Sequence, residues 1–200
     1  IVSIDTTKLG IATKAFSLNC DILNDVYAAP RFYSDRKAHE EMARLVADSG
    51  KPWVMMHCRG SSSNMKSLAN YEPGTVASSV ATELLAVIKS ALELGVLPWQ
   101  IIVDPGIGFA KTAEQNVEIL KDVPRFRLLT GGLPTFVGAS RKRFLGMITQ
   151  QEEAPPAQRD AASNALLIPL VQAGVKFFRV HDVSSAVDTL HTYEYVWRQQ

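Results

Sequence analysis

The chain has 200 residues, 46% of them hydrophobic, which is enough to bury one sizeable core and borderline for two. Lys and Arg total 21 against 20 Asp and Glu and are scattered, which disfavours a nucleic-acid surface or a polybasic membrane anchor; the net charge of +1 still suits an anionic small molecule. Cys20 and Cys58 have neither metal-ligand spacing nor the makings of a disulfide framework, which fits a reducing compartment, and no apolar run is long enough to span a bilayer.

The chain opens directly in a strand pattern, Ile1-Val-Ser-Ile4, which ends at Asp5-Thr6-Thr7. With no initiator Met, it is expected to be a piece of something longer. Residues 8–17 read as a helix, and residues 21–26 as a second strand with polar Asn24 and Asp25 at its end. After a loop holding Pro30, Ser34 or Asp35 caps a helix with Ala38, Met42, Leu45 and Val46 on one face, and Gly50 ends it. Trp53-Val-Met-Met56 is a third strand, closing on His57-Cys58-Arg59-Gly60, and a polar loop follows as far as Thr75. Residues 76–95 give the clearest helix: Val76, Val80, Leu84, Val87, Ile88, Ala91 and Leu92 recur at three and four, and Gly95 and Pro98 terminate it.

The fourth strand, residues 101–104, is stopped abruptly by Asp104-Pro105. Pro105 has no N–H for a ladder, and Gly106 and Gly108 permit positive φ, so the chain must turn here. Asp104 is thereby left at the strand's C-terminal end with Phe109 and Lys111 close by. Thr112 with Gln115 is a capping box opening a helix over 113–122. Such a turn is either a site in miniature or an ordinary strand–loop–helix connection whose Asp caps the helix. Residues 135–138 are a fifth strand running into Ala139-Ser140-Arg141-Lys142-Arg143, and Gln150 to Pro156 is a polar loop. Residues 161–173 read as a well-buried helix, 176–181 as the sixth strand, and 184–197 as a final helix.

Six strands alternating with helices predict a parallel sheet in an α/β fold. In an open sheet, site residues gather at the strands flanking the switch point. Here every strand ends in polar residues: Asp5, Asn24, His57, Asp104, Ser140 with Lys142, and Arg179 with His181. A ring of such ends around one mouth is the arrangement of a (β/α)8 TIM-type barrel, which needs eight strands and about 250 residues. The expectation is therefore a barrel of which only the last six βα units are present, two more having preceded Ile1.

Six segments in order, Ile4-Asp5-Thr6, Asn24-Asp25-Val26, Met56-His57-Cys58-Arg59-Gly60, Asp104-Pro-Gly-Ile-Gly-Phe-Ala-Lys111, Gly138-Ala-Ser-Arg-Lys142 and Arg179-Val-His-Asp-Val183, resemble the signature of dihydropteroate synthase. The likeness runs the length of the chain and leans towards the synthase domain of the eukaryotic bifunctional enzymes that carry a pyrophosphokinase upstream. It implies condensation of 6-hydroxymethyl-7,8-dihydropterin pyrophosphate with p-aminobenzoate, giving 7,8-dihydropteroate and pyrophosphate for folate synthesis. Asp104 would accept the paired N–H donors of the pterin edge, with Asp5 and Asn24 completing that edge and Met56 and Phe109 lining the flat faces. Asp5 and Asn24 also read as plain strand-end caps. Arg179 and His181, two apart and so on one face of a strand, would hold pyrophosphate. Lys142 would contact the pterin beside the p-aminobenzoate seat, to which Ser140 adds a hydrogen bond. The catalytic groups implied are thus Lys142, Arg179 and His181, with no protein nucleophile.

The resemblance also implies magnesium, a homodimer, no nucleic-acid or membrane partner, and an intracellular setting, cytoplasmic or mitochondrial. The family's magnesium is bound through the pyrophosphate and an Asn absent from this sequence, so no metal ligand is expected in this chain. With the first two strands and their loops missing, the 200 residues alone are expected to be nearly inactive. His57 reads equally as a satisfied strand-end histidine and as a ligand, His39 and His191 fall on helix surfaces, and Arg141 and Arg143 read as solvated or structural. A pterin-dependent methyltransferase would share Asp5, Asn24 and Asp104 but has no use for the Ser140–Lys142 run or the Arg179–His181 clamp. A degenerate, non-catalytic pterin-binding remnant is the other alternative.

Overall fold

Trp53-Val-Met-Met56 is apolar at every position, a pattern suited to a strand covered on both faces. In the computed structural model, which describes residues 1–197, all four side chains are buried. This strand, β3 (Trp53–Met56), lies between β2 (Ile22–Asp25) and β4 (Ile101–Asp104), and β1 (Ser3–Asp5) flanks β2. All pairings are parallel, with Asp5 opposite Asn24, Asp25 opposite Met55, and Met56 opposite Asp104. Parallel register brings the polar strand ends predicted above to one edge. β5 (Phe136–Val137) pairs in parallel with β6 (Phe177–Phe178), and a parallel bridge from Val103 to Thr135 joins this pair to β4. β1 and β6 do not pair; a cleft of about 700 Å³ lies between them, lined by Ser3, Asp5, Asn24, Phe136, Phe178 and Arg179 among others.

Helices separate the strands. The first half has α1 (Leu9–Ser17), α2 (Ala28–Ser34), α3 (Arg36–Ser49) and α4 (Val76–Glu93). After β4 come α5 (Ala113–Lys121) and α6 (Val123–Leu129). Between β5 and β6 lie α7 (Arg143–Ile148), α8 (Asp160–Ala165) and α9 (Leu167–Gln172), and α10 (Val183–Trp197) closes the fold. The apolar stripe of α4 is the one read from its spacing: Val76, Val80, Leu84, Val87, Ile88 and Ala91 are all buried in the main core.

The differences from expectation have local causes. α2 occupies what the sequence suggested was a loop, because Pro30 falls in the first turn, where its missing N–H has no intrahelical partner to lose. The helix expected over 161–173 is two, with only Ser163, Leu167 and Leu170 buried. Pro169 offers no N–H to the carbonyl of Ala165, and the helix breaks there. The sixth strand is shorter than 176–181, although the Arg179 N–H still donates to the Val137 carbonyl at 3.0 Å. His39 was expected on a helix surface and is instead fully buried, sharing the inner face of α3 with Met42, Ala43 and Val46. No helix among the described residues is long and apolar enough to cross a membrane.

Candidate functional site

The turn after β4 is held low by its glycines. Gly106 (φ 70°) and Gly108 (φ 80°) are left-handed, and a Cβ on Gly106 would overlap the His57 carbonyl. Ala110 is left-handed too (φ 46°), a conformation costing a non-glycine residue about 1–2 kcal/mol. Such strain persists only where the surroundings impose it. Thr112 and Gln115 form the predicted capping box, so Asp104 is free of helix-capping duty. The Asp104 carboxyl is buried. One oxygen accepts from the Gly106 N–H at 2.7 Å, and the other has no protein partner among the described residues. Burial pushes this carboxyl up to about 6, against the pull of the Gly106 N–H and of Lys111, Lys142 and Arg179.

The neighbouring strand ends complete a ring. Asn24 is buried and donates through Nδ2 to Asp5 Oδ2 at 3.2 Å, while its amide oxygen is buried without a partner among the described residues. Asp5 in turn lies 3.7 Å from Arg179 Nη2. Met56 is buried with Cys58 and Ala110 in a small apolar cluster against which Phe109 packs. Lys142 Nζ sits 4.4 Å from the centre of the Phe109 ring, and its stem lies against Gly108, where a Cβ would meet it at 3.1 Å. Burial lowers the Lys142 ammonium from its usual range, opposed by Asp104 and reinforced by Arg179. The mouth therefore has a floor that accepts hydrogen bonds, an apolar wall and a cationic rim.

On the rim, the Ser140 hydroxyl accepts from the His181 N–H at 3.2 Å and lies 2.9 Å from His181 Nδ1. The Ser140 hydroxyl can accept a second hydrogen bond as well as donate one, so the direction of the contact with Nδ1 follows the ring tautomer. Arg179 is half-exposed. Arg141 is structural, in a left-handed conformation (φ 58°) and paired through two 2.7 Å hydrogen bonds with Asp160.

Sequence reasoning left Lys111 and His57 without a role and passed over Glu83. Lys111 Nζ bonds to the Gly106 and Phe109 carbonyls, each at 3.1 Å, and lies 3.2 Å from His57 Nδ1. His57 Nε2 is 3.0 Å from Glu83 Oε2, and Arg59 grips the same carboxylate. The one available signal was an acid, Glu83, interrupting the stripe of α4 between Val80 and Val87. No group of three His, Cys, Asp or Glu side chains that could hold a metal ion occurs among the described residues.

Residues 1–181 match the family model described as pterin binding enzyme. The chain is 36% identical over 195 residues to the folate synthesis bifunctional protein of Arabidopsis thaliana, covering 94% of this chain and 38% of that protein. It is 35% identical to the dihydropteroate synthase of Synechocystis, covering 98% of this chain and 64% of that one. The chain thus spans between about a third and two thirds of these relatives. Among solved structures, dihydropteroate synthase from Thermus thermophilus in complex with 6HMPPP superposes with a TM-score of 0.86 at 34% identity, over 98% of this chain and 72% of that one. The same enzyme in complex with 4-aminobenzoate gives 0.85 at 34% identity, over 98% and 74%. By the extent of these matches and the ring of strand-end residues they cover, the chain belongs to the family of pterin binding enzymes.

Proposed function

We propose that this chain carries the pterin- and pyrophosphate-binding part of a dihydropteroate synthase. The observation that carries the reading is the floor of the mouth: a buried carboxyl, Asp104, with one oxygen unused, beside a buried Asn24 amide oxygen with no protein partner among the described residues. A buried acceptor left unmet, as the Asn24 oxygen is, costs about 1–3 kcal/mol, and the aminopyrimidinone edge of a pterin presents adjacent N–H donors for it and for the unused Asp104 oxygen. Met56 and Phe109 supply the apolar walls for the flat ring. Lys142, over Phe109, faces the ring and the neighbouring seat of p-aminobenzoate, with Ser140 beside it.

Arg179 and His181 take the pyrophosphate. As the C–O bond at the pterin methylene breaks, its electron pair leaves with the pyrophosphate, and fixed positive groups stabilise the developing charge. The amine nitrogen of p-aminobenzoate then bonds to the methylene carbon and loses a proton. No protein nucleophile enters these steps, and none is routed through a metal.

The reading extends to architecture: residues 1–200 are one synthase domain supplying six βα units of a (β/α)8 barrel, and the cleft between β1 and β6 takes the other two. That cleft and the unpaired edges beside it support this. An intracellular setting is part of the proposal, supported by two free, buried thiols. Titration calorimetry with 6-hydroxymethylpterin and with its pyrophosphate ester tests the central claim. Both are expected to bind, the ester more tightly; absence of binding by either overturns it.

A further inference from the structure

Lys111 belongs to neither the floor nor the rim of the mouth, yet its ammonium has three partners. Two are carbonyls of the turn between Asp104 and the start of α5, those of Gly106 and Phe109, and the third is His57 Nδ1. Three donors meet three acceptors, which requires the proton of His57 to sit on Nε2. That nitrogen donates to Glu83 on α4 at 3.0 Å. Glu83 is fixed from the other side by Arg59, whose guanidinium lies 3.9 Å from the centre of the Tyr71 ring and donates to the Leu68 and Asn70 carbonyls. A continuous polar chain, Arg59–Glu83–His57–Lys111, therefore runs from the α4 side of the fold to the underside of the β4 turn. The His57 backbone contributes as well, its N–H donating to the Asp104 carbonyl at 2.9 Å.

We propose that Lys111 is a positioning residue for pterin binding: fixed in orientation by Glu83 through His57, it clamps the Gly106–Phe109 turn and so sets where Asp104 and Phe109 meet the ligand. This rests on the pterin reading above. The chemistry is directional. Remove the ammonium, and two carbonyls lose their donors while the left-handed run Gly106, Gly108, Ala110 loses its brace. Remove the Glu83 charge, and the hydrogen bond that holds His57 as an Nε2 donor loses its charge assistance. The titratable and charged groups around Lys111 are Asp104 on β4, the Cys58 thiol and Arg59 after β3, and Glu83 on α4, with neutral His57 in contact. Burial lowers the Lys111 ammonium to about 7, and Cys58, Asp104 and Glu83 oppose that. The clamp accordingly loosens as pH rises through that range, and removing Glu83 moves the loss to lower pH.

The test measures 6-hydroxymethylpterin affinity across pH 5.5–9 for the wild type, Lys111→Met and Glu83→Gln, with melting curves for each. Lys111→Met is expected to stay folded and bind at least tenfold more weakly, and Glu83→Gln to shift the alkaline fall in affinity to lower pH. A folded Lys111→Met that binds within twofold of wild type overturns the proposal. If Lys111→Met does not fold, the Glu83→Gln profile decides: a shifted limb supports the clamp and an unshifted one overturns it. Wild type failing to bind pterin at all would instead overturn the functional reading on which the clamp depends.

Discussion

Replacing Asp104 with Asn should push binding and stability in opposite directions. The carboxyl is held near 6 rather than its ordinary 3.8, chiefly by burial. At about 1.4 kcal/mol per tenfold, keeping it ionised at neutral pH costs the folded state on the order of 3 kcal/mol. The sign follows from the direction: the folded value is raised, so the favourable contribution is full below 3.8 and is lost as pH rises through about 6. Asn cannot ionise, and its amide oxygen still accepts from the Gly106 N–H. Part of the gain is offset because Lys111, Lys142 and Arg179 lose a nearby anion, leaving roughly 1–3 kcal/mol at pH 7.5. For a chain of this length that is about 2–4 °C in Tm per kcal/mol.

Binding suffers for a geometric reason. With its oxygen on Gly106, the amide presents NH2 to a ligand edge that is itself a donor; flipped, it presents NH2 to the Gly106 N–H instead. One interaction becomes a clash in either pose, and the charge assistance is gone from the other. Loss of about 3 kcal/mol is on the order of 100-fold in pterin affinity. Melting curves at pH 4 and 7.5 with calorimetry at 7.5 check both halves. The variant should be the more stable at pH 7.5 and indistinguishable near pH 4. Unchanged pterin affinity, or a stability deficit that does not vary with pH, would refute the reasoning.

Arg179→Ala should leave 6-hydroxymethylpterin affinity near wild type and weaken the pyrophosphate ester about 10–100-fold, the worth of a charge-assisted pair; equal loss of both ligands in calorimetry would contradict its placement on the rim. His39→Leu should stabilise the fold by about 1–3 kcal/mol at pH 7, because both ring nitrogens are buried without partners among the described residues. Burial, with Arg31 and Arg36, lowers His39 to about 4, so its neutral form favours folding above 6.5 and that advantage is lost as pH falls through 4. Denaturant curves should show a shallower acid limb in the variant, with buried His57, also lowered to about 4, supplying the remainder.

Strands were legible because each is a short apolar run cut off by turn-forming or polar residues, and parallel pairing then brings their ends to one edge without further information. That logic singled out Asp104, Asn24, Lys142, Arg179 and His181 as candidates, and the family resemblance supplied the roles proposed for them. Helix α2 was not legible, because Pro30 read as a loop residue and only the structure reveals that it falls in a first turn, and no element was assigned to the residues of α6. His39 was misplaced because a histidine among charged neighbours says nothing about which face it takes; Phe32 and Trp53, packed near it, decide that. The Glu83–His57–Lys111 chain joins residues 26 and 54 positions apart, and no local pattern encodes such a contact. Ser140 was read as a ligand contact, and its hydroxyl bond to His181 likewise depends on two strand ends meeting in space.

Some locally unfavourable features of this fold lie at the mouth, while others, such as the left-handed Asn19 and the unmet ring nitrogens of His39, lie away from it. Ala110 and Arg141 are left-handed without being glycine, Asp104 is ionised at a buried position, and the Asn24 amide oxygen is unmet. Elsewhere, the buried Asp25 carboxylate is paired with Arg31, and β3 and α4 are packed with apolar side chains. The unmet Asn24 oxygen makes sense if a ligand supplies its partner: a ring that donates to it converts that cost into a contact. On the proposed reading, the polarity of the mouth sets the direction of entry: acceptors on the floor would select the donor edge of the ring, and cations on the rim the anionic tail. A ligand reversed end for end would set phosphates against Asp104 and leave Arg179 and His181 facing an uncharged heterocycle.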